Sequence, residues 1–307
     1  MKLFDRFVLS VLPLIPRRVL WTVGRRYVAG DSLTKALSRI TECQQQGFGA
    51  ILDVLGENVE SSAAAESAAA EYHLALESLA DIDDDTPVSV KPTHLGLKID
   101  EDLCAKLLEK LCVTASLTGR RVRLEMEEYE TVGGTLDVFR RVRGSHDNLG
   151  CVLQARLFRT AEDAQDLAQE FRALDVRLVK GIYLEPPSVA WTEDRDISAN
   201  YVRVARDLLD AGAFVALATH DENLEGQCTE LLAERNLILP AEEEGRYEFQ
   251  CLMGVRPRFA EKLLKDGHRV RIYVPYGRDW HAYSIRRLKK NPVLARQVIR
   301  ATLGFGG

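Results

Sequence analysis

The chain has 307 residues, is 46% hydrophobic and 28% charged, and carries a formal net charge of −5. This is the balance of an ordinary soluble globular protein, long for one sandwich or bundle but suited to one α/β barrel. The acidic balance and dispersed basic residues argue against nonspecific nucleic-acid binding.

From the N-terminus, Phe4 to Leu20 is apolar and flanked by Arg17, Arg18, Arg25 and Arg26, but Pro13 and Pro16 interrupt it. It is too short and broken for a membrane span, and no clear small-residue cleavage site follows. The stretch reads as a helical arm over residues 1–46, packing on the domain or resting as a cationic amphipath on a membrane surface. From residue 47 onward short apolar runs alternate with longer amphipathic stretches. Ala50–Leu55 precedes helical Glu60–Ala80, and Val88–Lys91 precedes Glu101–Leu117. Val122–Glu125 precedes Thr135–Val142, Gly150–Gln154 precedes Ala161–Leu174, and Val176–Lys180 precedes Ala199–Ala211. Phe214–Ala218 precedes Leu224–Arg235, Tyr247–Gln250 precedes Phe259–Asp266, and Val270–Tyr273 precedes Trp280–Lys290. About eight strand–helix units at this spacing predict a (β/α)₈ barrel over residues 47–307. A doubly wound sheet is the alternative, but no Gly-rich fingerprint follows the first strand. The six cysteines form no CxxC pair and read as buried free thiols.

In such a barrel, functional side chains stand at the C-terminal strand ends. Those positions hold Lys91, then Glu125 and Glu127, then Gln154, then Arg177, Lys180 and Tyr183. Thr219, His220 and Asp221 follow, then Glu248 and Gln250. Each has a plain structural reading. Lys91 could be a solvated loop residue, the carboxylates could cap helices, and His220 could pair with Asp221. Together they make one polar mouth on an apolar scaffold, which packing alone does not explain. The final unit carries Tyr273, Tyr283, Arg286 and Arg287. Paired guanidiniums offer the planar fork that holds a carboxylate, and the i, i+3 spacing stacks Tyr283 on Arg286. Taken alone, the same pair would read as a basic surface helix.

The segments Lys91-Pro-Thr-His-Leu-Gly, Val152-Leu-Gln, Arg177-Leu-Val-Lys-Gly-Ile-Tyr, Ala218-Thr-His-Asp, Glu248-Phe-Gln and Tyr283-Ser-Ile-Arg-Arg resemble those of the FAD-dependent proline dehydrogenases, in the same order. The likeness runs from about residue 48 to 291 and fits the short monofunctional bacterial type. It implies a distorted (β/α)₈ barrel that binds FAD at the strand C-termini and L-proline between flavin and final helix. A hydride would pass from proline C5 to flavin N5, giving Δ1-pyrroline-5-carboxylate in the first step of proline catabolism, with a quinone as electron acceptor. The resemblance implies a carboxylate clamp of Arg286 and Arg287 with Lys91, walled by Tyr183, Leu252, Tyr273 and Tyr283. It places Arg177 at flavin N5 and Gln154 on the isoalloxazine. Lys180, Gly181, Ile182, Thr219 and His220 would line FAD, with Met126 and Glu248 nearby. Two positions depart from the family pattern. Glu125 stands where an aspartate is usual, its expected job being to pair with Lys91 or an arginine, and Arg156 stands where an aromatic is usual. The implied enzyme is cytoplasmic and visits the membrane face to reach its quinone, with residues 2–26 as the contact. Oxidation of hydroxyproline or another cyclic imino acid is the alternative, Tyr273 opposing it by bulk. A Schiff-base aldolase built on Lys91 or Lys180 and a barrel without catalysis are the readings from other classes.

Overall fold

The computed structural model describes residues 21, 24–82, 85–238, 245–281 and 283–285. Eight parallel strands close into a barrel in sequence order: β1 (Gly49–Val54), β2 (Val88–Val90), β3 (Val122–Leu124), β4 (Leu149–Gln154), β5 (Asp175–Val179), β6 (Phe214–Ala218), β7 (Tyr247–Leu252) and β8 (Val270–Tyr276). The seam between β1 and β8 runs in register from Gly49 opposite Arg271 to Val54 opposite Tyr276. Between the strands lie α2 (Ser62–Leu79), α3 (Glu101–Leu117), α4 (Tyr129–Arg143), α5 (Thr160–Glu170), α6 (Asp194–Asp210), α7 (Glu222–Glu234) and α8 (Pro257–Lys265). The predicted barrel is therefore the observed one.

Local chemistry sets the helix starts. The Ser61 side chain accepts from the Ala64 amide ahead of the Ala-rich α2. Asp100 accepts from Asp102 and Leu103 before α3, and Asp221 from Asn223 and Leu224 before α7. Several boundaries differ from expectation. Helix α4 begins at Tyr129 rather than Thr135, running through Gly133-Gly134 because tertiary packing outweighs the low helix propensity of glycine. A side chain on Gly134 would come within 2.6 Å of Glu101 Oε1 on the neighbouring helix. Helix α6 starts at Asp194 rather than Ala199, and β8 continues past Tyr273 to Tyr276. Pro275, with no N–H to donate, sits in β8, and its carbonyl accepts from Ala29 at 2.8 Å. Ahead of β1, α1 (Leu33–Gln45) packs on β1 and β8, so the last turns of the arm form part of the barrel wall. Residues 1–20, 22 and 23 of the arm lie outside the described residues, as does the chain after 285.

The outward sides of the strands hold the apolar core. Leu52, Val54, Val88, Val90, Leu124, Leu178, Leu217 and Phe249 are all buried against the helices. The lumen is different. Barrels of this kind usually fill it with branched aliphatic residues, whereas here it holds Asp53, Ser89, Arg123, Arg177, Glu248, Gln250 and Arg271, each at most 3% exposed. Small residues beside the long ones make the room. Gly49 lies in register with Arg271, and Gly150 lies between Arg123 and Asp175, whose side chains meet at 2.6 Å. A Cβ on Gly150 would approach the Asp175 carbonyl oxygen to 2.8 Å, so the strand needs glycine here.

The charged lumen predicts an acid limit. Burial pushes Glu248 and Glu125 up, but Arg271 beside Glu248, and Arg177 and Lys91 beside Glu125, outweigh it. Glu248 is held down to about 2 from 4.5, and Glu125 also titrates below its ordinary value. A depressed folded-state pKa contributes stability that is present above the unfolded value and lost as pH falls through the folded one. The stability contributed by Glu248 and Glu125 is therefore expected to be fully present above about pH 5 and to be lost steadily toward about pH 2. Urea titrations across that range test this, and a flat profile down to pH 3 would refute the ionic lumen.

Candidate active site

The C-terminal strand ends gather two cations with their partners, Arg177 buried and Lys91 partly buried. Lys91, just past β2, reaches Asp53 on β1 at 2.7 Å. Arg177, on β5, makes three contacts. Nη1 donates to Glu125 at 2.5 Å, Nε to Gln250 Oε1 at 2.5 Å, and Nη2 to Ser89 at 3.1 Å. Tyr273 joins the two pairs. Its hydroxyl donates to Glu125 at 3.0 Å, its ring lies 5.1 Å from the Arg177 guanidinium carbon, and Asp53 bears on it as well. Glu125 thus pairs with an arginine, one of the two partners expected of it; Lys91 belongs to Asp53, which the strand-end reading had passed over.

Burial disfavours both cations, yet each stays charged because its carboxylate partner outweighs that cost. Asp53, Tyr72 and Glu125 hold the Lys91 amine above its ordinary value, and Glu125 chiefly does the same for Arg177. A charged lysine is a poor Schiff-base nucleophile, since that chemistry needs the free amine. Next to Lys91, His94 is packed so closely that a Cβ on Gly56 would lie 2.2 Å from its ring. Burial and the Lys91 charge push His94 down to about 4, so its ring is neutral at physiological pH.

Asp53 gives the site a first test. In Asp53→Asn the neutral amide keeps an acceptor for Lys91 but loses the charge that offsets it. The Michaelis constant for a carboxylate substrate gripped by Lys91 is expected to rise about tenfold, with a thermal midpoint several degrees lower. An unchanged Michaelis constant would show that Lys91 does not depend on Asp53 for its placement.

On the other side of the mouth stand the residues expected to hold a cofactor. Gln154 ends β4, donates from Nε2 to the Glu127 carbonyl at 2.7 Å, and has its Oε1 buried without a partner among the described residues. Gly181 follows β5 with φ +96, and a side chain there would come within 2.8 Å of that oxygen. Glycine is needed for the backbone angle and for the space. The same added Cβ would lie 3.1 Å from the Arg156 Cβ, and among the described residues the Arg156 Nε is buried without a hydrogen-bond partner. Lys180 bridges Asp194 at 2.9 Å and Asp221 at 2.7 Å, tying two mouth loops together. Ile182 is 61% exposed. Thr219 is buried and accepts from the Asp221 amide. His220 Nε2 accepts from the Leu252 amide at 3.0 Å, which places the ring behind β7 and identifies Nε2 as the unprotonated nitrogen. Asp221, expected beside His220 as a structural pair, instead caps α7 and holds Lys180.

The remaining expected residues divide by depth. Met126 is buried immediately after Glu125, and Tyr183 is partly buried within electrostatic reach of Lys91 and Glu127. Glu127 is buried and accepts from the Thr93 amide and hydroxyl at 3.0 and 2.8 Å, which fixes the turn after Lys91. Tyr283 lies close enough to Tyr273 to act on it electrostatically. Glu248 does not stand at the mouth. It lies one layer down the lumen, bound to Arg271 at 3.0 and 3.1 Å and to Gln250. Arg286 and Arg287 lie outside the described residues. Strand reading missed Asp53 and Ser89, although the alternation Val-Ser-Val in β2 and Leu-Asp-Val in β1 marks both as facing away from the apolar side.

The family model described as "Proline dehydrogenase" matches residues 36–300. Proline dehydrogenase 1 of Bacillus subtilis subsp. natto is 34% identical over 280 residues, covering 91% of this chain and 90% of that one. The proline dehydrogenase of Deinococcus radiodurans is 32% identical over 294 residues, covering 94% and 93%. Among solved structures, proline utilization A from Bdellovibrio bacteriovorus, inactivated by N-propargylglycine, superposes with a TM-score of 0.81 at 25% identity. That match covers 93% of this chain and 36% of the longer protein. With a family model matched along most of its length and relatives of similar size above 30% identity, this chain belongs to the proline dehydrogenase family.

Proposed function

We propose that the protein oxidises L-proline to Δ1-pyrroline-5-carboxylate with FAD as cofactor and a quinone as final electron acceptor, opening proline catabolism. The observation that carries this reading is the convergence of two carboxylate-paired cations, Lys91 and Arg177, on one mouth with Tyr273 between their carboxylates. Its setting is a chain similar to proline dehydrogenases along nearly its whole length.

The donor set fits a flavin. The unpaired Gln154 Oε1 is an acceptor suited to the imide N–H of the isoalloxazine ring, and Gly181 leaves space beside it. In this reading Arg156, Lys180, Thr219 and His220 line the cofactor, with Ile182 and Met126 as apolar surface. When bound, FAD supplies the two-electron acceptor that takes the C5 hydride of proline at its N5. Arg177 brings a fixed positive charge to where negative charge develops, so no reorganisation is needed during the reaction. Lys91, with Arg286 and Arg287, grips the proline carboxylate and holds C5 at attack distance. Tyr273, Tyr283, Tyr183 and Leu252 wall the ring and exclude water. The Tyr273 hydroxyl is committed to Glu125, so its ring is held rigidly where a hydroxylated ring would have to fit. Among the described residues no helix is long and apolar enough to cross a membrane. Access to a membrane quinone by a cytoplasmic enzyme then falls to peripheral contact, for which residues 2–26 have the composition.

The test is the visible spectrum of the purified protein before and after anaerobic L-proline. Flavin absorption near ~450 nm that bleaches on proline, and much more slowly on hydroxyproline, is the expected result. A flavin that proline leaves oxidised would overturn the substrate, and a protein that neither contains nor takes up FAD would overturn the reading.

A further inference from the structure

Below the mouth, a second layer of the lumen bears directly on Arg177. In β-strand register, Arg177 on β5 and Glu248 on β7 flank Ala216 on β6. The alanine leaves a gap through which β5 and β7 side chains can meet across β6. Gln250 fills it: its Oε1 accepts from Arg177 Nε at 2.5 Å, and its Nε2 donates to Glu248 Oε1 at 2.5 Å. Glu248 is held in turn by Arg271 at 3.0 and 3.1 Å, and Arg271 by Asp85 at 2.7 Å and the Ala50 carbonyl at 3.2 Å. The column therefore runs from the barrel floor to the mouth.

A primary amide is two-faced, and which face meets Arg177 is decided by what lies on its other side. An ionised carboxylate accepts only, so it draws the NH₂ group of Gln250 toward itself and leaves the carbonyl for the guanidinium. A neutral partner able to donate would leave the amide free to turn, placing N–H groups against the N–H of Arg177. Burial without a partner is costly for Arg177 Nε, so the guanidinium would shift off its present plane. Arg271 keeps Glu248 ionised, and Gly49 gives Arg271 its room.

We propose that Glu248 is a positioning residue for the redox reaction, acting through the amide of Gln250 to fix the Arg177 guanidinium at the flavin. This rests on the functional reading above, since it presumes that Arg177 faces the flavin. It moves Glu248 from the cofactor's neighbourhood to the support beneath it.

The experiment uses flavin-loaded Glu248→Gln, Gln250→Met and the double variant. Two quantities are read: the midpoint potential of the bound flavin, by dye-coupled reductive titration without proline, and the limiting rate of anaerobic reduction by L-proline. Each single variant is expected to move the potential to more negative values and to lower the limiting rate about 10- to 100-fold. The apparent dissociation constant for proline should stay within about threefold, because Lys91 is untouched. The double variant should be no worse than the worse single one, as for members of one chain of contacts. A structural role alone would lower the thermal midpoint and leave the potential and limiting rate of the folded protein unchanged; that result overturns the proposal. So does an effect in Glu248→Gln that Gln250→Met lacks. Where Glu248→Gln is too unstable to purify, Gln250→Met decides, since it keeps the Glu248–Arg271 pair. If wild-type flavin is not reduced by L-proline, the functional reading fails, while the potentials still report on the column.

Discussion

Arg177→Met is expected to lower kcat/KM for L-proline by about two to three orders of magnitude, mostly in kcat, and to destabilise the fold. The guanidinium uses Nε, Nη1 and Nη2 on Gln250, Glu125 and Ser89, so methionine fills much of its volume but satisfies none of them. Glu125 would then lose its direct ion-pair partner and keep the Tyr273 hydroxyl and the more distant Lys91 charge. Breaking a buried pair from one side typically costs ~3–5 kcal/mol, because the partner charge is left uncompensated. The variant should partly recover in Arg177→Met/Glu125→Gln, where the orphaned charge is gone. Stability by urea denaturation and kcat by steady-state assay separate the two effects. Recovered stability without recovered kcat is expected, since the charge near the reacting centre is still missing. Near-wild-type kcat in the single variant would remove Arg177 from the chemistry.

Glu125→Ala is the second large effect. The carboxylate oxygen Oε1 accepts from both Arg177 and Tyr273, so its loss frees a cation and a pocket wall together. The expected result is a Michaelis constant for proline raised about 30- to 100-fold and weaker discrimination against hydroxyproline, as the Tyr273 ring gains freedom. Glu125→Gln separates geometry from charge. Its amide oxygen can still accept from both donors, so selectivity should be kept while the surplus positive charge in the lumen lowers stability. Equal behaviour of Ala and Gln variants would mean that charge alone matters, and an unchanged Michaelis constant in both would reject the anchoring role. Glu125 Oε1 meets Arg177 at 2.5 Å and Tyr273 at 3.0 Å from a backbone whose amide donates to the Val90 carbonyl.

The barrel was legible from sequence because each unit is a local event. A period of two, then a period near 3.6, then a short turn, repeated eight times, leaves few topologies open. The mouth residues were legible for a related reason: parallel strands in a closed barrel present all their C-terminal ends on one face, so strand-end position already implies proximity. Lys91, Glu125, Gln154, Arg177 and Thr219 follow from that rule, and the family resemblance adds Gly181 and the roles expected of each. Helix starts at Tyr129 and Asp194 were less legible, since glycines and acidic residues at those turns look like loop until packing and the helix dipole are counted.

Which charge meets which was decided only by the tertiary structure. Lys91 meets Asp53 across 38 residues of sequence, and Arg177 meets Glu125, Gln250 and Ser89 across 52, 73 and 88. Such partners are set by strand stagger and by the gaps that Gly49, Gly150 and Ala216 leave in the wall, neither of which leaves a periodic trace in the chain. The same stagger puts Glu248 a layer beneath the mouth although it lies only two residues before Gln250. The sequence by itself determined the barrel and the face that carries the chemistry, because both follow from local periodicity and chain direction. The folded lumen decided the ion pairs, because a shift of one strand residue moves a charge by about 3.3 Å, enough to exchange its partner.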